Sequence, residues 1–115
     1  MRNTREMYRK ALDIYYSNSN DISPLIEMGM NENSARGTLY CYKKLLNGQL
    51  HTRNVQLVLI KTLLNSLYEK NDINGLANVI RALDKKYDFR SQNYNENNIT
   101  ARKIVDEYRA KLLAL

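Results

Sequence analysis

The stretch RNVQLVLIKTLLNSLYEK, residues 53–70, decides the fold because it is long enough for a helix and has almost no polar face. Its apolar side chains cover most of the circumference of a helical wheel: Val55, Leu57, Val58, Leu59, Ile60, Leu63, Leu64 and Leu67. A helix that is apolar on all sides must be surrounded by other helices or lie in an interface. We therefore expect residues 53–70 either to form the centre of a helical bundle or to belong to an interface.

The segments on both sides have the amphipathic pattern of ordinary surface helices. Apolar residues recur every three or four positions, which predicts further helices over residues 4–16, 24–28, 34–47, 75–87 and 99–113. Residues 88–98 are rich in asparagine and predict a flexible polar loop. The sequence thus predicts an all-α protein, folded as one domain over residues 1–115 in a compact bundle of about six helices.

The composition excludes several classes of protein. The 115 residues are 43% hydrophobic, which suits one globular domain that folds without disulfides or metal. One cysteine, Cys41, and one histidine, His51, provide neither a disulfide framework nor a set of metal ligands. The longest apolar run is residues 57–60, far short of the ~18 residues of a membrane span. We predict a cytoplasmic protein that is not an enzyme and has no membrane segment, cofactor or bound metal.

The positive charge of the chain is concentrated in one window. Lysine and arginine outnumber aspartate and glutamate by 18 to 12, which gives a formal net charge of +6. Between Asn33 and Tyr68 there are five lysines or arginines and no acidic residue. Such a window predicts one positive surface, and a polyanion such as nucleic acid is the partner that this surface would attract.

The third predicted helix, residues 34–47, places much of this charge on one face. Asn31 or Asn33 can cap its start, and Gly48 can end it. On a helical wheel, four residues form a stripe that should face the core: Ala35, Leu39, Tyr42 and Leu46. A second stripe, which should be exposed, combines cations, an aromatic ring and an amide: Arg36, Tyr40, Lys43 and Asn47, with Lys44 beside them.

The exposed stripe has the chemistry of a nucleic-acid contact. Cations neutralise phosphates, arginine and asparagine can bond to base edges, and tyrosine can bond a phosphate or stack on a base. A short helix, a turn and then this helix also approximate a helix-turn-helix. The predicted nucleic-acid-binding residues are Arg36, Tyr40, Lys43, Lys44 and Asn47 on the helix, with His51 and Arg53 on the phosphate backbone. The alternative is an ordinary solvent-facing side of a helix, since such faces are often rich in lysine and arginine.

The stretch SARGTLYCYKKLLNGQLHTRN, residues 34–54, resembles a helical accessory domain that precedes HNH-type nuclease domains in a group of restriction endonucleases. The matching positions are Ser34, Ala35, Leu39, Tyr40, Tyr42, Leu46, Gly48 and Arg53. The similarity continues through a leucine-rich helix, a glycine turn and Ala82–Leu83, and so covers residues 34–89. It implies a helical module that helps to engage DNA. The nuclease motif needs paired histidines and a metal, and this chain has only His51, so the resemblance implies the module without cleavage.

Two functions follow as hypotheses. The first is a non-catalytic DNA-binding module, linked to restriction or to mobile-element or phage biology, that binds a duplex through the third helix and the loop after it. The second is a protein–protein adaptor or inhibitor, which could be a homodimer, without nucleic-acid binding. In the first case the partner is DNA, and in the second it is another copy, a nuclease or another protein. The apolar excess of residues 53–70 would then form the interface.

Overall fold

The chain is helical along most of its length. The computed structural model describes residues 3–115, and over these residues six helices form and no strand occurs. The helices are α1 (Thr4–Tyr16), α2 (Ser23–Glu27), α3 (Glu32–Leu46), α4 (Leu57–Glu69), α5 (Ile73–Tyr94) and α6 (Ile99–Leu113). The prediction of an all-α bundle of about six helices is therefore confirmed.

The helix α4 lies at the centre of the bundle. It packs against α1, α5 and α6. Seven of its thirteen residues are buried, among them Leu63, Leu64 and Leu67 with no exposed surface. Its exposed apolar residues lie in the first turn, where Leu57 and Val58 are 38% and 42% exposed, and the charged Lys61 and Glu69 are its other exposed residues. Burial inside the bundle thus accounts for most of the apolar excess of this helix, in line with the first of the two expectations.

The helix α3 packs between α1 and α5, and this rotates its buried face away from the predicted stripe. Ala35 and Tyr42 are fully buried as expected, but Leu39 and Leu46 are only half-buried at the edge of the core. The residues that complete the buried face are Thr38, Cys41 and Leu45. The physical reason is that α3 is covered by two helices, α5 and α1, so that its buried face is wider than the predicted stripe. Towards α1, the Tyr42 hydroxyl donates a hydrogen bond to the carbonyl oxygen of Tyr8 over 2.9 Å.

Polar side chains and one glycine fix both ends of α3. The Asn31 side chain accepts a hydrogen bond from the Ser34 amide at 2.8 Å, so Asn31 is the N-cap. At the other end Gly48 has a φ of 68°, in the left-handed region that favours glycine, and its amide donates to the Leu45 carbonyl. The outer face of α3 is therefore presented by a helix with a defined start and end.

Two predicted helix boundaries are wrong. The helix α4 begins at Leu57 and not near Arg53, because the Arg53 carbonyl accepts a hydrogen bond from Lys86 instead of a helical amide. The helix α5 continues to Tyr94, so most of the predicted loop 88–98 is helical. Residues 88–94 contain no glycine or proline. Asp88 pairs with Arg102 on α6 and Arg90 donates to the Thr52 carbonyl, and these contacts support the added turns. Only residues 95–98 connect α5 to α6.

Candidate nucleic-acid interface

The connection between α3 and α4, residues 47–56, has no regular structure but is fixed by a buried lysine. Lys86 on α5 is 1% exposed and directs its ammonium group into this connection. It donates to the His51 carbonyl at 2.9 Å, to the Arg53 carbonyl and to the His51 ring at 3.0 Å. Three N–H groups thus meet three acceptors, which offsets the cost of burying the charge. Burial lowers the pKa of Lys86 to about 8, so the ammonium form still predominates at neutral pH.

Other side chains of α5 hold neighbouring points of the same connection. Lys85 donates to the Gly48 carbonyl at 2.9 Å, and Arg90 donates to the Thr52 carbonyl at 2.7 Å. Before the connection begins, the Asn78 amide donates to the Leu46 carbonyl at 3.1 Å. Because α5 is a long, packed helix, these bonds fix the path of the connection and therefore the position of Arg53.

His51 does not occupy the exposed position that a backbone-contacting residue would need. His51 is only 3% exposed and lies beneath the surface. This corrects the prediction that it contacts the phosphate backbone. Since the Lys86 ammonium donates to Nδ1, the ring must carry its proton on Nε2. Burial lowers the pKa of His51 to about 4, and the positive charges of Lys86, Arg53 and Lys44 add to this effect. His51 is therefore a neutral structural residue near pH 7.

Tyr40 is the centre of the exposed face of α3. Tyr40 is 45% exposed. Two cations flank its ring: the Lys44 ammonium lies 5.6 Å and the Arg53 guanidinium 5.7 Å from the ring centroid. The His51 ring lies 5.9 Å from the same centroid, centre to centre. These are cation–π distances, at which an aromatic face helps to hold neighbouring positive charges together. The structure thus brings α3 and the connection into one surface at Tyr40.

The remaining predicted residues differ in how their side chains are engaged. Arg36 is exposed but forms an ion pair with Glu32 one turn earlier, at 3.1 Å. The Asn47 amide donates to the Lys43 carbonyl at 2.6 Å, and Lys43 itself is exposed. Within residues 3–115, Lys43, Lys44 and Arg53 form no ion pair. Together these residues form what we call the Tyr40 surface: Arg36, Tyr40, Lys43, Lys44, Asn47 and Arg53.

Three cations of α5 that adjoin this surface were not predicted. Lys85 and Lys86 hold the connection, and Arg81 places its guanidinium near Gly48, 3.5 Å from where a Cβ would stand. For Lys86 the sequence did contain a signal, because it lies three residues after Leu83 and seven after Val79 on the apolar stripe of α5. A charged residue on such a stripe is buried or at its edge and needs a partner. For Arg81 and Lys85 no comparable signal exists.

Neither a cluster of metal ligands nor a membrane-spanning helix occurs in the described part of the chain. Among residues 3–115, no group of three histidine, cysteine or carboxylate residues is placed to hold a metal ion. Over the same residues, no helix combines the length and apolar character needed to cross a membrane. Cys41 is a free thiol inside the core, and burial raises its pKa to about 12, so it packs as a small apolar residue.

No protein-family model matches this chain, and no curated protein or solved structure matches it either. The resemblance of residues 34–89 to the accessory domains of HNH-type nucleases therefore stays a prediction.

Proposed function

We propose that this chain is a non-catalytic, cytoplasmic DNA-binding module that engages duplex DNA through the Tyr40 surface. The observation that carries the proposal is the exposed ring of Tyr40, flanked by Lys44 and Arg53. Neither cation has an acidic partner within residues 3–115. Cations that are not neutralised internally can release counterions from phosphates, which is the main source of affinity for DNA.

The shape of the surface also suits a duplex. The outer face of α3 runs along a fifteen-residue helix, and the major groove of B-DNA admits a helix. The helix α2 precedes α3, packs against it and is joined to it by residues 28–31, which is the order of a helix-turn-helix with α3 as the recognition helix. In this arrangement Lys43, Lys44 and Arg53 contact phosphates, while Arg36 and Asn47 approach base edges.

The rigidity of the connection favours the same function. Arg53 lies in a segment without regular structure, yet its carbonyl is held by the buried Lys86. A cation that is already positioned loses less conformational entropy when it binds. The predicted resemblance of residues 34–89 to accessory domains of restriction endonucleases would imply DNA binding as well, and on this basis we propose a role in restriction or in mobile-element or phage biology.

A charge reversal with a matched control tests the proposal. The double variant Lys43→Glu/Lys44→Glu reverses two cations of the Tyr40 surface, whereas Lys61→Glu/Lys103→Glu makes the same charge change on α4 and α6. We expect the first variant to bind a random-sequence duplex on the order of 100-fold more weakly at low salt, and its salt slope to fall by about 2. The control should change affinity much less. Fluorescence anisotropy at two salt concentrations measures both quantities.

The outcomes of this titration are distinct. Circular dichroism first establishes that both variants keep the helical content and melting temperature of the wild type. Equal weakening by both variants would mean that only the net charge matters and not the Tyr40 surface. Unchanged affinity in Lys43→Glu/Lys44→Glu, or no binding of duplex by the wild type, would refute the proposal. In the last case the mass of the chain in solution becomes the next measurement, because a dimer would favour the adaptor hypothesis.

A further inference from the structure

An open groove lies beside the Tyr40 surface, between the end of α1 and the outer face of α3. Its volume is about 520 Å³, within the ~300–1,000 Å³ of sites that hold small molecules. Tyr16 from α1 and Tyr40 from α3 both line it, and they are 47% and 45% exposed. The groove thus has two accessible aromatic rings, and one of them belongs to the Tyr40 surface.

The ring of Tyr16 is held in place although it is exposed. Its hydroxyl donates to the Asp72 carboxylate at 3.3 Å, and its edge meets the Tyr15 ring with the centroids 5.7 Å apart. The Lys70 ammonium lies 5.2 Å from the centroid of Tyr16. An exposed ring that is fixed by three neighbours is a suitable platform for stacking, because little side-chain entropy remains to be lost on binding.

Apart from its tyrosines, the groove is lined by Leu39, the hydroxyl group of Ser19, three amides and one ammonium. Asn18, Asn20 and Asn47 line it together with Lys43, and Asn18 has a left-handed φ of 58° in the turn after α1. Amide groups offer both donors and acceptors, which match the edges of a nucleobase better than they match a phosphate. Lys43 lies at the side shared with the Tyr40 surface and can bind the phosphate next to such a base.

We propose that this groove binds an unpaired nucleobase, so that the DNA preferred by this chain is a duplex with a single-stranded extension. The phosphates of the extension follow Lys44 and Lys43 past Tyr40, and a base enters the groove and stacks on Tyr16. This inference rests on the proposed function, since it extends the binding of a duplex on the Tyr40 surface.

The test separates the contribution of the bases to the affinity from that of the phosphates. Three DNAs share one duplex: one is blunt, one carries a three-nucleotide thymidine overhang, and one carries an abasic overhang of the same length. The two overhangs have the same phosphates, so any difference between them comes from the bases. By fluorescence anisotropy at low salt we expect the thymidine overhang to bind about tenfold more tightly than the abasic one.

Variants of exposed tyrosines assign the difference to the groove. Tyr16→Ala should remove the preference for the thymidine overhang while the blunt duplex binds as before, and Tyr16→Phe should keep it because the ring remains. Tyr94→Ala is the matched control, since Tyr94 is 58% exposed and does not line the groove. The preference should survive in this control.

The results distinguish the failure of this inference from the failure of the proposed function. If the wild type binds all three DNAs with equal affinity, the groove takes no base and the inference is wrong, while duplex binding stands. A preference that persists in Tyr16→Ala also overturns it. If the wild type binds none of the three DNAs, the proposed function fails and the inference fails with it.

Discussion

Two connections in this fold are polar and touch α5, yet they are held in different ways. The connection between α3 and α4, residues 47–56, is fixed from inside by Lys86, a buried residue that donates three hydrogen bonds to it. The connection between α5 and α6, residues 95–98, is closed at the surface by a two-pronged pair in which Arg90 donates to both carboxylate oxygens of Glu96 at 2.8 Å. The side chain of Glu96 is 35% exposed, so water competes for this pair.

The difference shows how a segment without regular structure acquires a defined position, namely through hydrogen bonds from a buried side chain. A buried donor that satisfies several carbonyls is hard to replace, because its loss leaves those carbonyls without a partner. A partly exposed pair shares its groups with water, so even with two-pronged geometry its loss leaves no buried group without a partner and costs less. The proposed DNA-binding surface includes Asn47 and Arg53 from the first connection and no residue from the second. The predictions below test whether the first connection is the more strongly held of the two.

The largest effect is expected for Lys86→Met, which keeps an unbranched side chain, one atom shorter, and removes its donors. The carbonyls of His51 and Arg53 then lose their partner inside the protein, and we expect the free energy of unfolding to fall by about 3 kcal/mol. Urea denaturation followed by circular dichroism measures it. Binding to duplex DNA should also weaken, because Arg53 is no longer held beside Tyr40.

The neighbouring lysine provides the control for this variant. Lys85 is exposed and donates one hydrogen bond, to Gly48, so Lys85→Met should cost less than about 1 kcal/mol. If Lys86→Met is as stable as the wild type, the carbonyls of the first connection are adequately hydrated without the lysine. The buried lysine would then not hold the first connection more strongly than the Arg90–Glu96 pair holds the second.

A smaller effect is expected from acid, through His51. Its pKa is about 4 in the folded protein, below the ordinary value near 6.5, so the unfolded chain binds more protons between these two values. The stability due to neutral His51 is therefore complete above pH 6.5 and is lost as the pH falls towards 4. We expect this loss to be about 2 kcal/mol, less than the full shift implies, because the connection can admit some water.

The variant His51→Gln isolates this contribution. Glutamine can still accept a hydrogen bond from Lys86 but does not titrate, so its unfolding free energy should depend less on pH between 6.5 and 4. Denaturation curves at several pH values give the difference in unfolding free energy between the two proteins. The carboxylates titrate in both, so their contribution cancels in this difference. Parallel pH profiles for the two proteins would show that His51 is accessible to protons in the fold.

The sequence predicted the elements whose ends are set locally. The bounds of α1 and α6 are those expected from apolar spacing, and α3 begins within two residues of its expected start. In α1 the cap is also local, since the Asn3 side chain accepts a hydrogen bond from the Glu6 amide. Signals of this kind lie within a few residues of the boundary and can be read from the chain alone.

What the sequence did not predict depends on partners distant in the chain. Lys86 lies 35 residues from His51 and 33 from Arg53. Its bonds to these residues hold the histidine beneath the surface and keep the Arg53 carbonyl out of α4. In the same way, Asp88 on the extended part of α5 pairs with Arg102 on α6 at 3.1 Å, a contact that no local pattern indicates. Helical periodicity predicted the exposed stripe of α3. Nothing in the sequence predicted that the Arg53 guanidinium lies beside Tyr40 on that stripe.

The smallest effect is expected in the second connection, at Asn95. This residue ends α5 with a φ of 55°, a left-handed conformation that asparagine tolerates better than most residues and glycine better still. We expect Asn95→Ala to lower the free energy of unfolding by about 1 kcal/mol and Asn95→Gly to leave it nearly unchanged. Because the backbone cost is local and the Arg90–Glu96 pair is partly exposed, neither variant should alter DNA binding. A loss from Asn95→Ala as large as that from Lys86→Met would mean that the second connection is held as firmly as the first.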